Sequence, residues 1–246
     1  MNAKFYDELA QDYHLLFADW HASMERQGAW LGDFIRVEWP ITVSVLDAAC
    51  GIGTQALPLA ALGYRVTASD ISRGAVARAA GEAKIRDLAL ATKVADLRAL
   101  SEVHGTFDLV LACDNALPHL LSDVEISGAL SECRACVRPG GGVLFSMRDY
   151  DAPGSGTEIH GYGVRALPDG RAILFQVWDW DGPHYDLAFY VLKERAGRPL
   201  ETRVHRARYY ALPPARVLEL MKAAGFENVR RVDGFVQPVL VGTRPA

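Results

Sequence analysis

The sequence predicts an α/β fold built on a doubly wound, mostly parallel β-sheet. Strand-like and helical patterns alternate five times between Val43 and Arg148, which is the order of elements in linked βαβ units. The apolar run Phe107–Cys113 is continuous, as expected for a strand that is buried on both faces. Gly51 and Gly53 indicate a tight turn between the first strand and the helix that follows it. We therefore expect the strand ends to open on a common crevice.

The pattern divides the chain into four parts, although its 246 residues are consistent with one large domain, 1–246. Helical spacing predicts N-terminal lid helices in residues 1–40, and the alternating pattern places the ligand-binding core in residues 41–151. Turn signals at strand-length spacing predict an antiparallel β insertion after the fifth strand, in residues 152–212. Residues 213–246 then supply a helix and a strand pair, which complete a seven-stranded sheet.

The first forty residues carry many aromatic side chains on two helical stripes that are separated near Asp19. Among them are Tyr6, Tyr13, Trp20 and Trp30. Any one such residue is more often part of the core than a ligand contact. Their density ahead of a nucleotide-binding pattern nevertheless predicts a lid over the crevice.

Composition favours a small-molecule partner. The net charge is −4, and no basic run or stripe would attract the phosphate backbone of a nucleic acid. No apolar run is long enough to cross a bilayer, and the N-terminus lacks the hydrophobic region of a signal peptide. The four cysteines fit reduced thiols, and their spacing does not match a metal site. We expect a cytoplasmic protein without a nucleic-acid, membrane or metal partner, and the sequence leaves monomer and homo-oligomer open.

The glycine turn has the features of a site for a nucleotide-like ligand. Glycine lacks the Cβ atom that would keep a ligand from the backbone, and the start of the next helix offers free N–H groups. Asp70 ends the second strand about twenty residues later, where an acidic residue accepts hydrogen bonds from ribose hydroxyls. Asp70 could instead cap the following helix together with Ser72. The run Gly51–Ala56 also fits a dinucleotide motif, so the residues alone leave the cofactor open.

In combination, these motifs resemble class I S-adenosylmethionine-dependent methyltransferases, which have a Rossmann-like fold. Val45–Gly53 looks like their first motif, Asp70 and Asp96 like their ribose and adenine carboxylates, and Val137–Gly141 like the turn before their fifth strand. The resemblance implies S-adenosyl-L-methionine as cofactor and S-adenosyl-L-homocysteine as product. It also implies these cofactor-binding residues: Tyr13, Trp20, Asp47, Ala49, Gly51, Gly53, Asp70, Ile71, Asp96, Leu97 and Cys113.

Within that class, the sequence resembles the glycine and sarcosine N-methyltransferase branch. The stretches that carry this resemblance are Tyr6-Asp7, Tyr13-His14, Asp19-Trp20, Asp114-Asn115 with Pro118-His119, and Arg148–Asp151. Some relatives place an arginine in the second N-terminal helix to pair with the cofactor carboxylate. That position aligns near Ser23 here, with Arg26 one turn further on.

The branch resemblance also implies the residues around the acceptor. Asn115 and Arg148 would hold the amine and the carboxylate of the substrate, while Tyr6 and either Tyr209 or Tyr210 would enclose the transfer site. The expected acceptor is therefore a small-molecule amine.

Three functions remain open at this point. The first is direct in-line methyl transfer to the amine of a small amino acid such as glycine or sarcosine. The second is N- or O-methylation of a larger natural product or an aminosugar, and the third is a non-enzymatic binding module that keeps the fold. A small pocket containing Arg148 would favour the first, and a wide apolar cavity without a cation would favour the second. Arg148 could instead pair with Asp149 or Asp151 at the surface.

Methyl transfer from an activated sulfonium needs no nucleophilic side chain, so positioning and exclusion of water would provide most of the catalysis. An ammonium acceptor must first lose a proton. His119 or water could accept it, although a histidine at a helix start is at least as often structural.

Overall fold

The computed structural model describes residues 3–152 and 154–246, which form six α-helices and two β-sheets. The helices are α1 Ala3–Leu9, α2 Trp20–Glu38, α3 Ala56–Ala61, α4 Arg73–Ile85, α5 Asp123–Cys136 and α6 Pro214–Ala223. The strands are β1 Ser44–Asp47, β2 Arg65–Asp70, β3 Leu90–Val94, β4 Phe107–Ala112, β5 Val137–Ser146, β6 Thr157–Leu167, β7 Gly170–Asp181, β8 His184–Arg195, β9 Glu201–Tyr210, β10 Glu227–Val232 and β11 Val239–Thr243.

The first sheet has seven strands in the order β10-β11-β5-β4-β1-β2-β3. Strands β1 to β5 are parallel, whereas β11 lies antiparallel to both β5 and β10. Val45, Leu46 and Leu109 in the central strands are fully buried. Helices cover both faces of this sheet, which explains the continuous apolar run of β4. The predicted doubly wound fold is confirmed.

The crevice lies where the strand order reverses. The chain moves outward from β1 to β3 and then returns to place β4 on the other side of β1. Ligands bind at such a switch point because the connections on its two sides run in opposite directions and leave a gap. Helix α4 begins beside this gap, and its N-cap Ser72 accepts a hydrogen bond from Ala75 N at 3.0 Å. Asp70 therefore ends β2 immediately before a helix N-terminus.

The second sheet is the predicted antiparallel insertion, with the order β6-β7-β8-β9. The turn signals Asp169-Gly170 and Gly182-Pro183 fall at its first two hairpins. Alternate residues of β7, including Leu174 and Trp178, are buried, as expected for a sheet with one face on the core. The sheet begins at Thr157, within the predicted range 152–212, where Thr157 Oγ1 donates a 2.7 Å hydrogen bond to Asp179 on β7.

One predicted strand boundary is wrong. β5 begins at Val137, where a turn was expected, because Gly140 N and Gly141 O hydrogen-bond the backbone of Arg244 and continue the ladder. The last strand begins at Val239. Phe235 lies ahead of it, and the centre of its ring is 5.0 Å from that of Trp30.

Residues 3–19, here called the N-terminal segment, are anchored to both sheets. Asp7 Oδ1 accepts hydrogen bonds from Ser72 Oγ at 2.7 Å and Gly74 N at 2.8 Å, at the start of α4. A Cβ atom at Gly74 would lie only 3.1 Å from Asp7 O, so this close approach depends on glycine. On the other side, Lys193 Nζ of β8 donates to both oxygens of Asp12 at 2.6 and 2.7 Å. The segment thus lies across the crevice, and its action as a lid stays a prediction.

Replacing Asp12 with asparagine tests the second anchor. The side chains of Asp12 and Lys193 are only 8% and 9% exposed, so the variant leaves a buried ammonium without a counter-charge. Removing one partner of a buried ion pair lowers the free energy of unfolding by about 3 to 5 kcal/mol. Urea denaturation measures this change.

The double variant Asp12→Asn/Lys193→Met is the matched control, because it removes both charges and keeps the shape of the pair. It should recover most of the stability that the single variant loses. An Asp12→Asn protein that unfolds at the same urea concentration as the parent would contradict a structural role for this pair.

Candidate active site

Two adjoining cavities open at the carboxyl edge of the first sheet. The turn cavity lies against the glycine turn and the end of β2. The sheet cavity lies between the N-terminal segment, the ends of β4 and β5, and the second sheet. Tyr6, Tyr13 and Asp114 line both cavities. A ligand in one cavity would therefore lie close to a ligand in the other.

The glycine turn forms one wall of the turn cavity. Gly51 and Gly53 have φ angles of +51° and +94°, a region that strains residues with a side chain. A Cβ atom at Gly51 would meet nothing within 4 Å, which shows that the space beside this residue is open. The turn can therefore bring backbone groups against a ligand.

Asp70 joins the glycine turn to the end of β2. Its two oxygens accept hydrogen bonds from Gly51 N at 2.9 Å and Ser72 N at 2.8 Å. Burial raises the pKa of Asp70, although both hydrogen bonds act in the opposite direction. A carboxylate has about four lone-pair sites, so it retains acceptor capacity for the hydroxyl groups of a ligand.

Asp47 lies at the end of β1 and is fully buried. Neither of its oxygens has a hydrogen-bond partner among the described residues, and burial raises the pKa of this carboxyl well above its usual range. A buried polar group without a partner is costly. The chemistry of this position therefore fits a site that receives hydrogen-bond donors or positive charge from a ligand.

The predicted cofactor residues divide into two groups. Six line the turn cavity: Tyr13, Ala49, Gly51, Asp70, Ile71 and Cys113. Five lie outside its lining: Trp20, Asp47, Gly53, Asp96 and Leu97.

Two of the five have other contacts that explain their position. Trp20 Nε1 donates to Thr54 Oγ1 at 3.0 Å, so Trp20 supports a residue of the cavity wall from behind. The carboxylate of Asp96 accepts several hydrogen bonds from Arg98, including one of 2.7 Å. Burial would raise the pKa of Asp96, but these bonds outweigh it and hold the pKa below its ordinary value. The adenine contact of Asp96 stays a prediction.

Arg148 lines the sheet cavity at the end of β5. Its Nη2 donates to Tyr162 OH at 3.0 Å, and its guanidinium carbon lies 4.6 Å from the ring centre of Trp178. Asp149 and Asp151 pair with Arg231 instead, at 2.9 and 3.8 Å. The surface-pair alternative for Arg148 is therefore wrong.

Asn115 also lines the sheet cavity and fixes the position of Arg148. Its Oδ1 accepts a hydrogen bond from Arg148 N at 3.0 Å, and its Nδ2 donates to Tyr150 OH at 2.9 Å. Tyr150 in turn shares a hydrogen bond of 2.9 Å with Tyr185 on the second sheet. This network connects the ends of β4 and β5 to the insertion.

Tyr6, His119 and Tyr209 meet at the boundary of the two cavities. Tyr6 OH and His119 Nε2 are 2.6 Å apart, and the rings of His119 and Tyr209 have centres 4.1 Å apart. Burial lowers the pKa of His119 to about 3, so this imidazole is neutral at physiological pH.

Neighbouring side chains of β9 point to opposite faces of the sheet, so only one of Tyr209 and Tyr210 can face the sheet cavity. Tyr209 lines the sheet cavity. Tyr210 faces the other way, where its OH donates to Asp123 at 2.9 Å and its ring stacks on His184. Tyr209, and not Tyr210, therefore faces the predicted transfer site.

Sequence reasoning did not assign several residues of the cavity walls, among them the polar residues Gln55, Asp114, Tyr162 and Gln176. Asp114 lies two residues after the end of β4 and Gln55 is the N-cap of α3 after the glycine turn, so their place at the carboxyl edge of the sheet was a usable signal. Tyr162 and Gln176 lie on the insertion, whose packing against the first sheet has no signature in local spacing.

Comparison with known proteins shows which families this chain resembles. Residues 45–141, which contain the glycine turn and the ends of β1, β2 and β4, match the family model described as a methyltransferase domain. The match and the fold confirm the predicted resemblance to class I methyltransferases.

The individual relatives include both N- and O-methyltransferases. The chain is 36% identical over 135 residues to the glycine/sarcosine N-methyltransferase of Parasynechococcus marenigrum, an alignment that covers 54% of this chain and 47% of that protein. It is 41% identical over 102 residues to the ubiquinone biosynthesis O-methyltransferase of Methylocella silvestris, covering 42% and 38% of the two chains. The chain thus spans less than half the length of these two curated relatives.

Among solved structures, the chain resembles an S-adenosylmethionine-bound amino pentose methyltransferase from Micromonospora echinaspora. The TM-score is 0.77 at 19% identity, over 90% of this chain and 92% of the other. At that identity the likeness concerns the fold. Within residues 3–152 and 154–246, no helix has the length and apolar character needed to cross a membrane.

His119 should make stability depend on pH. The unfolded chain binds a proton at this residue below a pKa of about 6.5, whereas the folded protein does so only near about 3. Stability from this group is therefore present above pH 6.5 and is lost as the pH falls, by about 2 kcal/mol at pH 5.

Replacing His119 with glutamine removes this titration. Between pH 7.5 and pH 5, the free energy of unfolding of the parent should fall by about 2 kcal/mol relative to that of the variant. Denaturation of both proteins at the two pH values measures this change. A difference that stays constant over this range would show that His119 has the same pKa in the folded and the unfolded protein, and would contradict the prediction.

Proposed function

We propose that the protein is an S-adenosylmethionine-dependent N-methyltransferase whose acceptor is the amine of a small amino acid such as glycine or sarcosine. One observation carries the choice of acceptor. The guanidinium of Arg148 lines the sheet cavity and has no carboxylate within ion-pair distance among the described residues. Because a largely buried charge is costly without a counter-charge, a ligand that carries a carboxylate suits this cavity.

The residues of the turn cavity fit S-adenosyl-L-methionine. Asp70 would accept hydrogen bonds from its hydroxyl groups, and the turn at Gly51 would let the ligand approach the backbone. The unpartnered carboxylate of Asp47 favours a ligand with positive charge nearby. When bound, the cofactor supplies an activated methyl group and leaves as S-adenosyl-L-homocysteine. The methyltransferase-domain match over residues 45–141 supports this choice.

The sheet cavity would orient the acceptor through its carboxylate. A guanidinium can give a carboxylate two parallel hydrogen bonds, which fixes the direction of the amine. Tyr162 and Trp178 hold the guanidinium, and Asn115 holds the Arg148 backbone. The similarity to a glycine/sarcosine N-methyltransferase supports an acceptor of this kind.

The aromatic walls would contribute positioning and exclusion of water. Tyr6 and Tyr13 close the junction of the two cavities from the N-terminal segment. Tyrosine oxygens beside a transferring methyl group would add weak C–H···O contacts, each of about 0.5 to 1 kcal/mol. His119 is poorly suited to accept a proton because its pKa is about 3, and we assign it the role of holding the Tyr6 hydroxyl.

The apolar lining of the sheet cavity favours a second candidate. Phe5, Leu9, Leu16, Phe17 and Phe189 line this cavity, and side chains of this kind predominate in sites for larger, partly apolar ligands, whereas glycine offers little apolar surface. The acceptor could therefore be a larger natural product or an aminosugar, methylated on nitrogen or oxygen. The structural likeness to an amino pentose methyltransferase and the similarity to a ubiquinone O-methyltransferase are consistent with this alternative.

Replacing Asp70 with alanine tests the cofactor site. Loss of the hydrogen bonds that the ligand donates to this charged carboxylate should weaken S-adenosylmethionine binding by roughly 1.5 to 3 kcal/mol, as measured by titration calorimetry. Asp33→Ala removes an exposed carboxylate of α2 and is the control. Equal affinity of the Asp70→Ala variant and the parent would remove Asp70 from the cofactor site.

Replacing Arg148 with alanine tests the acceptor. For an amino acid substrate, kcat/KM should fall by an amount that corresponds to roughly 2 to 5 kcal/mol of lost transition-state stabilisation, the range for removing one partner of a buried charge pair. Cofactor affinity should stay nearly unchanged. Arg148→Lys should also be poor, because an ammonium does not reproduce the two parallel hydrogen bonds. Steady-state kinetics with labelled S-adenosylmethionine give these values.

The matched comparison uses an amine of similar size without a carboxylate. Its methylation should be slow with the parent and little affected by Arg148→Ala. If both Arg148 variants methylate the true acceptor as fast as the parent does, the amino acid acceptor is wrong and the larger acceptor without a carboxylate takes its place.

A further inference from the structure

Asp114 is a carboxylate at the junction of the two cavities. It lines both of them, together with Tyr6 and Tyr13. Its Oδ2 accepts a hydrogen bond from Gln55 Nε2 at 3.0 Å, and its Oδ1 makes no hydrogen bond within the described part of the chain. One oxygen of this carboxylate is therefore available to a ligand.

The backbone holds Asp114 in an unusual conformation. Asp114 and Asn115 have φ angles of +55° and +69°, a region that few non-glycine residues occupy. Their N–H groups donate to Ser146 Oγ at 2.9 Å and to Ser146 O at 3.0 Å. Such a strained pair persists only where its surroundings fix it, and it is common at active sites.

Asp114 shares the sheet cavity with Arg148, yet no ion pair joins the two among the described contacts. The cavity thus presents one cation and one anion, both without a counter-charge from the protein. A zwitterionic amino acid carries the complementary pair of charges. A carboxylate on Arg148 would leave its ammonium group to be bound by a separate anion.

The other ionisable groups near this junction are less suited to an ammonium. They are Tyr6, Tyr13, Asp47, Asp70, Cys113, His119, Tyr162 and Tyr209. Burial raises the pKa of Tyr6, Tyr13, Cys113 and Tyr209 above the usual range, so these groups stay neutral. Among the carboxylates, Asp47 lines neither cavity, and Asp70 lines only the turn cavity, with both oxygens on the backbone.

We propose that Asp114 binds the protonated amine of the acceptor and accepts its proton before methyl transfer. This inference rests on the proposed N-methyltransferase function. The ammonium nitrogen gives one proton to the free Asp114 oxygen, which leaves a lone pair on nitrogen. The nitrogen then forms its bond to the methyl carbon as the bond from that carbon to the cofactor sulfur breaks, with the electron pair left on sulfur in S-adenosyl-L-homocysteine. Asp114 releases its proton to water when the product leaves. Arg148 fixes the carboxylate, and Asp114 determines that the group methylated is an amine.

Asp114→Asn in the full chain tests this role. Asparagine keeps the shape and tolerates the positive φ, but it cannot accept the proton. We expect kcat/KM for glycine or sarcosine to fall 100-fold or more at pH 7.5, the scale of general base catalysis. The affinity for S-adenosylmethionine, measured by calorimetry, should change less than threefold.

The pH profile separates proton transfer from a structural effect. With Asp114→Asn, solution must supply the free amine, so kcat/KM should rise about tenfold per pH unit up to the pKa of the acceptor itself. The parent should level off at a lower pH. A loss that is the same at every pH, or an equal loss of cofactor affinity, would overturn the proposal and assign Asp114 to the fold or to the cofactor.

Two further variants complete the experiment. Asp114→Gly also tolerates the positive φ and should give the same pH-dependent loss. Asp149→Asn removes a carboxylate that pairs with Arg231 outside both cavities, and kcat/KM should stay within twofold of the parent.

The outcomes also separate this proposal from the choice of acceptor. If Arg148→Ala stays fully active while Asp114→Asn shows the pH-dependent loss, the amino acid acceptor fails and the role of Asp114 holds for whichever amine is methylated. If Arg148→Ala is defective and Asp114→Asn is as active as the parent, the role of Asp114 fails alone. A parent that methylates hydroxyl groups and no amine would overturn both.

Discussion

The hydrogen bond from Gly51 N to Asp70 Oδ2 ties the turn after β1 to the end of β2, and the rest of the site depends on it. The contact requires parallel strands, because only then do consecutive strand ends reach the same edge of the sheet. The same constraint brings Asp114 and Arg148, from β4 and β5, to that edge. Residues far apart in sequence thus face one crevice without any long loop to place them.

Charge is unevenly distributed between the two cavities. Asp47, Asp70 and Asp114 lie at the ends of three adjacent strands, around or beneath the turn cavity. Arg148 lies in the sheet cavity beside aromatic rings. This arrangement favours positive charge near the glycine turn and negative charge beneath the insertion. The aromatic walls lower the local dielectric, which strengthens both preferences.

Most elements of the first sheet could be predicted from the sequence, and so could several polar residues at its carboxyl edge. Each of these residues lies where an apolar run of the sequence stops. Asp70, Asn115 and Arg148 are of this kind. The choice between Tyr209 and Tyr210 depends on which face of β9 meets the core, and the aromatic pair itself does not reveal it. Trp20 supports Thr54 rather than a ligand because of how α2 packs on the turn, a contact between distant parts of the chain.

The N-terminal segment contributes Tyr6 and Tyr13 to the walls of both cavities, and it is tied to α4 through Asp7 and to β8 through Asp12. A single stretch of chain is therefore the shared boundary of two compartments. Under the proposed function, displacing this segment to admit one ligand would also uncover the compartment of the other, so the exchange of cofactor and acceptor would be linked. Tyr6 and Tyr13 would then take part in entry and release as well as in closing the site.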